Sequence, residues 1–411
     1  MSSVQRLLIV VFVVILALLV GINILLWTSA SQAEETESYS PVSTLVSELE
    51  AQSTTQALVA DMLPGLPTVS PPGRFEPLQL AWFYKPPVDD GSTSLLGEYF
   101  DIFVLTKGDE KLRNDLLAQD ASEPILRYLL SNAILEPATC REQPWRNQAA
   151  DQPGDVCTIR EQHADWFLYT ADGQIVVDET GGLMMDPMNP GWRQFFVERA
   201  QQNQEALGWK GVFLDNVETN FNKRIRLNSV PAGYPANSVY QVAVEDYIEF
   251  LYTSYFQPSG QPLYANLLDY QSVNDWMRFI PYLDGAMMED FALGWDSNGL
   301  SSEMWELQQQ VIIQTQALGR EVILVAQGSK SDILAQEFAL GSYLLVNNGR
   351  AAFRYTDASH YDEVWVYNNY LIQPGQPLGP RYEENGLWRR DFENGTVAVD
   401  PASQTAVLNF Q

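Results

Sequence analysis

The sequence predicts an α/β fold: a (β/α)8 TIM barrel with a small C-terminal antiparallel β appendage, preceded by an N-terminal transmembrane or signal helix. Three observations lead to this prediction. Short apolar strands alternate with helical patterns over most of the 411 residues, which is typical of a parallel sheet. Two of these strands end on carboxylates, at Asp215 and Glu289, and barrels of this class carry catalytic groups at the C-terminal ends of their strands. After residue 374 the chain is rich in Gly, Pro and Asn, with short alternating runs.

The N-terminal segment predicts export. Residues 7–27 are apolar apart from Gly21 and Asn23, long enough as a helix to cross a membrane. Arg6 precedes this run and acidic residues follow it from Glu34, an arrangement that leaves the N-terminus in the cytoplasm. Small residues before position 33 also match a signal-peptide cleavage site. Residues 1–33 are therefore either an uncleaved anchor or a cleaved signal peptide, and the protein is extracytoplasmic, membrane-anchored or secreted.

The next 41 residues have a different composition. Residues 34–74 are rich in Ser, Thr, Pro and Glu, which predicts a linker. We expect the barrel to occupy residues 75–360 and the β appendage residues 361–411.

Apolar runs bounded by turn residues predict eight barrel strands. They are residues 78–84, 102–106, 125–130, 211–215, 262–267, 285–289, 321–326 and 343–347. Apolar spacings of three and four predict the intervening helices. They are residues 110–118, 190–207, 238–255, 302–318 and 331–340.

A long excursion, residues 137–188, follows the third predicted strand and is expected to shape the rim of a pocket. It contains the only two cysteines, Cys140 and Cys157, which we expect to form a disulfide worth about 3 kcal/mol in an oxidising compartment. Two unpaired thiols are the alternative. The only histidines, His163 and His360, form no recognisable ligand motif, and we predict no metal and no cofactor.

The charge of the chain limits its partners. With 52 acidic and 24 basic residues the formal net charge is −28, so the surface repels phosphate backbones. We therefore expect no nucleic-acid partner.

Polar and aromatic residues near strand ends are candidates for contacts with sugar hydroxyls and rings. The polar candidates are Tyr84, Lys85, Asn216, Asn266, Gln327 and Asn347. Trp166 and Trp295 could present ring faces to sugars, although a tryptophan is more often packed in a core. Asp186, in an Asp-Pro sequence, is equally interpretable as a turn residue or as part of the pocket.

Several motifs, in a fixed order, resemble a known family. They are Asp165-Trp166-Phe167-Leu168, Asp172-Gly173, Asp186-Pro187, Gly211-Val212-Phe213-Leu214-Asp215-Asn216 and Arg389-Arg390-Asp391-Phe392-Glu393-Asn394-Gly395-Thr396-Val397. From about residue 75 onward the chain resembles the secreted glycosyl hydrolase-like (β/α)8 barrels and, more distantly, the endo-α-1,4-polygalactosaminidases. The resemblance implies a barrel glycosidase with Asp215 in its active site.

Enzymatic cleavage of a glycosidic bond generally requires two carboxyl groups that face one pocket. Asp215 and Glu289 end the fourth and sixth predicted strands, an arrangement that resembles retaining α-galactosidase barrels. By that analogy Asp215 is the nucleophile and Glu289 the general acid/base, whose pKa its apolar neighbours would raise. We expect an exported glycoside hydrolase acting on extracellular or cell-envelope polysaccharide. The alternative is a non-catalytic barrel that binds glycan at the cell surface, and the presence of both acids favours the enzyme.

Overall fold

The computed structural model describes residues 78–84, 90–178, 180–226, 229–295 and 299–410. The predicted N-terminal helix and linker lie outside these residues. Within them, no helix is long and apolar enough to cross a membrane.

Eight parallel strands follow one another in chain order around a barrel. In chain order the first ten strands are β1 (Ala81–Phe83), β2 (Ile102–Leu105), β3 (Ile125–Leu130), β4 (Ala133–Ile134), β5 (Leu183–Met184), β6 (Val212–Glu218), β7 (Leu263–Leu268), β8 (Gly285–Met288), β9 (Glu321–Gln327) and β10 (Ala351–Thr356). The short strand β4, just before the excursion, pairs antiparallel with β5 inside it, and the other eight strands form the barrel. A parallel bridge between Leu80 and Phe353 joins the first barrel strand to the last.

Helices connect most of the barrel strands and cover the outside of the sheet. They are α1 (Asp90–Tyr99), α2 (Glu110–Leu117), α3 (Asp155–Gln162), α4 (Pro190–Leu207), α5 (Asn222–Arg226), α6 (Asn237–Leu251), α7 (Gln257–Ser259), α8 (Val273–Met277), α9 (Ser302–Ala317) and α10 (Ile333–Val346). A π-helical stretch, Tyr252–Phe256, joins α6 to α7. Helix α4 has the predicted bounds because Pro190 occupies its first turn and the Asn189 side chain accepts hydrogen bonds from two backbone amides there.

Alternate strand residues point into the barrel and form a packed interior, here called the inner cluster. Its members are Ala81, Phe83, Val104, Leu126, Tyr128, Phe213, Tyr264, Met287, Ile323, Val325, Ala352 and Tyr361. At the N-terminal end of the barrel Tyr264 crosses the interior and donates to Glu321. Gly285 makes room for this ring, because a Cβ there would lie 2.2 Å from it. The interior is therefore filled, and access is left to the C-terminal mouth.

The prediction that residues 343–347 form the eighth strand is wrong. These residues belong to the end of α10 and to its C-terminal cap, and the eighth strand is β10. Helix α10 packs on the barrel and also on the C-terminal sheet, so nearly all of its second half is buried. A continuously apolar run of that length has no helical periodicity and resembles a buried strand.

The C-terminal sheet is antiparallel, as predicted, and covers α10. Its strands are β11 (Tyr382–Glu384), β12 (Leu387–Phe392), β13 (Gly395–Asp400) and β14 (Thr405–Phe410). Gly341 allows close packing here, because a Cβ would lie 2.7 Å from the Cβ of Ala406. The buried Arg390 guanidinium donates to the carbonyls of Leu344, Leu345 and Asn347 at the end of α10. Arg390 thus satisfies carbonyls that a helix C-terminus leaves without partners.

Candidate active site

The structure brings Asp215 and Glu289 together at the barrel mouth. Asp215 lies in β6 two residues after the inner-cluster Phe213, and Glu289 follows β8 two residues after Met287. Between them, on β7, the buried Asn266 donates from Nδ2 to Asp215 Oδ1 at 3.0 Å and to Glu289 Oε2 at 2.7 Å. Because these two oxygens share one nitrogen, they cannot be farther apart than the sum of the two distances.

A tyrosine hydroxyl donates to the remaining oxygen of each acid. Tyr128, an inward residue of β3, donates to Asp215 Oδ2 at 2.5 Å. Tyr361, in the segment after β10, donates to Glu289 Oε1 at 2.6 Å. Each carboxyl group is therefore held by two donors from neighbouring elements, which limits its rotation.

The Glu289 carboxyl group lies beside a second carboxylate, that of Asp215. Burial and, after it, the negative charge of Asp215 outweigh the opposing hydrogen bonds from Tyr361 and Asn266, and together these effects raise the pKa of Glu289 to about 7. A carboxyl group with such a pKa is about half protonated near neutral pH, and its protonated form can donate a proton. The neighbouring Asp290 side chain points away from the mouth and contacts Tyr270 and Gln308.

A second layer of contacts positions Tyr361. Gln327, at the end of β9, donates to the Tyr361 hydroxyl at 2.7 Å and to the Glu289 carbonyl at 3.0 Å. The buried Arg354 guanidinium donates to the carbonyls of Phe83 and Tyr361, at 2.8 and 2.7 Å. Arg354 thereby ties the segment that carries Tyr361 to the end of β1.

Tyr84 and Asn216 both lie next to Asp215, with different surroundings. The Tyr84 ring lies 4.8 Å from that of Tyr128, and burial and the charge of Asp215 raise the pKa of Tyr84. Asn216 adopts φ +57°, rare for a residue other than glycine, at an irregularity in the pairing of β6 with β7. It lines a small cavity outside the strand with Ser131 and Tyr247.

Three predicted sugar contacts lie elsewhere. Asn347 is wrongly placed at the mouth by the sequence, because it caps α10 near the start of β10, buried and donating to Tyr343. Trp166 is only 9% exposed and is stacked on His163, which corrects its interpretation as an open sugar platform. Asp186 accepts hydrogen bonds from the Tyr234 hydroxyl and from the backbone of its own turn, as expected of a turn residue.

Lys85 lies outside the described residues, so its predicted sugar contact stays a prediction. Trp295, in the segment that follows Glu289, is 51% exposed and accessible to a ligand.

Sequence reasoning missed Tyr128 and Tyr361. Tyr128 was counted only as part of an apolar strand, although its inward position, in register with Phe213, was readable from the strand pairing once the barrel was assumed. Tyr361 was missed because the eighth strand was placed too early in the chain. Its approach to Glu289 depends on the path of the segment after β10, for which the sequence contains no signal.

The predicted disulfide joins Cys140 to Cys157, with a sequence separation of 17 residues. Among the described residues, no group of three or more His, Cys, Asp and Glu side chains could hold a metal ion. The groups found at the mouth are two carboxyl groups, the Asn266 amide and several tyrosine hydroxyls.

Comparison with solved structures finds several glycoside hydrolases at low identity. The glycoside hydrolase domain of PelA from Pseudomonas aeruginosa is 15% identical, covering 71% of this chain and 98% of that one, with a TM-score of 0.48. A maltogenic α-amylase from Thermotoga neapolitana is 9% identical, covering 79% and 86%, with a TM-score of 0.46. A trehalose-6-phosphate hydrolase from Bacillus licheniformis is 12% identical, covering 69% and 65%, with a TM-score of 0.43. No curated protein matches the sequence.

The family comparison is more direct. The model of hypothetical glycosyl hydrolase family 15 matches residues 126–396, which is well over half of the chain and includes both acids. The chain therefore belongs to hypothetical glycosyl hydrolase family 15 and is a glycoside hydrolase.

Proposed function

We propose that the protein is an exported, retaining glycoside hydrolase that cleaves extracellular or cell-envelope polysaccharide, with Asp215 as nucleophile and Glu289 as general acid/base. The observation that carries this proposal is the shared hydrogen bonding of both carboxyl groups to Asn266. Retaining glycosidases hold their two carboxyl groups about 5–5.5 Å apart, whereas inverting enzymes leave roughly 6.5–9.5 Å for a water molecule. Two carboxyl oxygens that both accept hydrogen bonds from Asn266 Nδ2 fit the shorter spacing.

The proposed reaction has two steps. An Asp215 oxygen forms a bond to the anomeric carbon while the bond to the leaving oxygen breaks, and that oxygen takes the Glu289 proton. Glu289, now ionised, then removes a proton from water, and the water oxygen replaces Asp215 on the sugar. The raised pKa of Glu289 suits this change of role, because both protonation states are accessible near neutral pH.

The proposals of export and of a polysaccharide substrate are based on the sequence and on the disulfide. The apolar segment 7–27 provides the export signal or anchor, and the Cys140–Cys157 disulfide is of the kind that persists in oxidising compartments. The net charge of −28 favours a glycan over nucleic acid as the partner.

Substitution of each acid tests the mechanism on activated aryl glycosides and on polysaccharides. Asp215→Asn should abolish turnover, whereas Glu289→Gln should strongly lower kcat/KM on polysaccharides and spare kcat/KM on aryl glycosides, whose leaving group needs no proton in the first step. Glu161→Gln is the control, because this carboxylate is exposed on α3, outside the site. NMR of the first product should show retention of anomeric configuration.

Three results would contradict the proposal. Near-normal turnover by Asp215→Asn would exclude Asp215 as the nucleophile, and an equal loss of kcat/KM by Glu289→Gln on both substrate types would exclude Glu289 as the acid. Inversion at the anomeric carbon would make Asp215 a base acting through water. Binding of a glycan without any cleavage by the parent protein would favour the glycan-binding alternative.

A further inference from the structure

The segment closed by the disulfide brings an aromatic residue to the mouth of the barrel. Trp145 lies between Cys140 and Cys157 and is half-buried, with its ring against the inner cluster. Its ring centre lies 6.0 Å from that of Tyr128, with the two planes at 74°. Tyr128 in turn donates to Asp215, so Trp145 is separated from the proposed nucleophile by a single side chain.

Hydrogen bonds on both sides of Trp145 hold the backbone of its segment in place. The Arg127 guanidinium donates to the Arg146 carbonyl, and the Leu130 amide donates to the Asn147 carbonyl. Before it in the chain, Gln143 donates to the Asp151 carbonyl at 2.6 Å. The backbone next to Trp145 is thus tied to β3 on one side and to the rest of the excursion on the other.

Further contacts anchor the same segment through a buried carboxylate. Asp151 is 1% exposed and accepts hydrogen bonds or ion pairs from Lys107, Arg127, Arg199 and Asn203, at 2.7 to 3.3 Å. These partners come from the second and third strand regions and from α4. Such anchoring is more than a solvent-exposed rim loop needs, and it pre-organises the side chain that the segment presents.

The position of Trp145 relative to the two acids indicates which part of a substrate it would meet. Tyr84, Tyr128 and Trp145 form a continuous aromatic wall, with ring centres 4.8 and 6.0 Å apart, on the Asp215 side of the mouth. Glu289 lies two barrel strands beyond Asp215. A retaining glycosidase holds the leaving group beside its acid and the retained sugar over its nucleophile. The wall therefore faces the retained part of the glycan.

We propose that Trp145 is a stacking platform for a sugar ring on the non-leaving side of the scissile bond. This inference rests on the proposed hydrolase function and adds a binding residue to it. The apolar face of a pyranose packs on an indole ring, which supplies a large, rigid contact surface. Its contribution is to substrate binding, because the ring touches neither acid.

The test compares KM and kcat of Trp145 variants on 4-nitrophenyl glycosides of common hexoses and N-acetylhexosamines, as mono- and disaccharides. Trp145→Ala should raise KM about tenfold or more with kcat nearly unchanged. Trp145→Phe, which keeps an aromatic face, should recover most of the affinity. Tyr382→Ala removes an exposed aromatic residue of the C-terminal sheet and is the matched control, with parent-like kinetics expected.

A parent-like KM for Trp145→Ala, on a substrate that the parent cleaves, would overturn the platform and leave the hydrolase function standing. Absence of any cleavage or binding by the parent would overturn both. If Trp145→Ala does not fold, Trp145→Leu decides the question, because it keeps apolar volume and loses the aromatic face. A raised KM in that variant supports the platform, and an unchanged KM refutes it.

Discussion

Replacement of Glu289 by glutamine should change the stability of the protein in a pH-dependent way. Burial and the Asp215 charge raise the pKa of Glu289 from 4.5 to about 7 in the folded state. The folded protein therefore binds this proton more tightly than the unfolded chain does. The stabilisation that this proton provides is fully present below the pKa of the unfolded chain, and it is lost as the pH rises through the pKa of the folded protein.

The size of the effect follows from the same two values. One pKa unit corresponds to about 1.4 kcal/mol, so integration between about pH 5 and pH 8 gives a loss of about 2 to 3 kcal/mol from this group. Glutamine does not titrate, and Glu289→Gln removes that loss. Rearranged hydrogen bonds to Tyr361 and Asn266 add a cost that is independent of pH. The test is therefore the change with pH in the stability difference between variant and parent, and not the size of that difference at one pH.

The assay is urea unfolding of the parent and of Glu289→Gln at several pH values. We expect the variant to gain about 2 to 3 kcal/mol relative to the parent between about pH 5 and pH 8. Glu161→Gln, at an exposed position on α3, controls for the loss of one carboxylate. A difference between Glu289→Gln and the parent that stays constant with pH would refute the assignment of Glu289 as a carboxyl group kept protonated by burial.

Three further predictions concern residues around the site and the scaffold. Tyr361→Phe removes a donor that lowers the pKa of Glu289, so the alkaline limb of the pH–rate profile should move to higher pH; an unmoved limb would contradict the contact. Arg390→Ala leaves the last carbonyls of α10 without partners and should cost about 3–5 kcal/mol in unfolding free energy, measured by urea unfolding. A loss below 1 kcal/mol would mean that water replaces the guanidinium. Replacement of Cys140 and Cys157 by serine should cost about 3 kcal/mol, because the bridge closes a loop of 17 residues, and thiol labelling of the denatured, unreduced parent should find no free thiol.

Local sequence patterns were enough to predict most of the barrel. The first seven barrel strands lie where apolar runs were bounded by turn residues, and α4 begins at Pro190 and ends at Leu207 as its spacing indicated. Asp215 and Glu289 were recognised because each stands at the end of such a run, and in a barrel all strand ends meet at one mouth. The end of a strand can thus be identified from neighbouring residues, and in a barrel it also indicates that the residue lies at the mouth.

Features that depend on burial from two sides could not be predicted in the same way. Helix α10 lies between the barrel and the C-terminal sheet, so its apolar residues have no polar face to mark the helical period. The error displaced the eighth strand, placed Asn347 at the mouth and hid Tyr361. Trp166 was misinterpreted for a related reason, because the sequence does not indicate whether an aromatic ring faces solvent or another ring.

The sequence by itself determined the period of the strands and helices and the two acids, because these depend on spacings of a few residues. The tertiary structure alone decided which side chains form hydrogen bonds with the two acids. Asn266, Tyr128 and Tyr361 come from three separate segments, and their contacts with Asp215 and Glu289 exist only after the barrel closes. The pKa of Glu289 is decided at the same stage, because burial and the proximity of a second charge are properties of the folded chain.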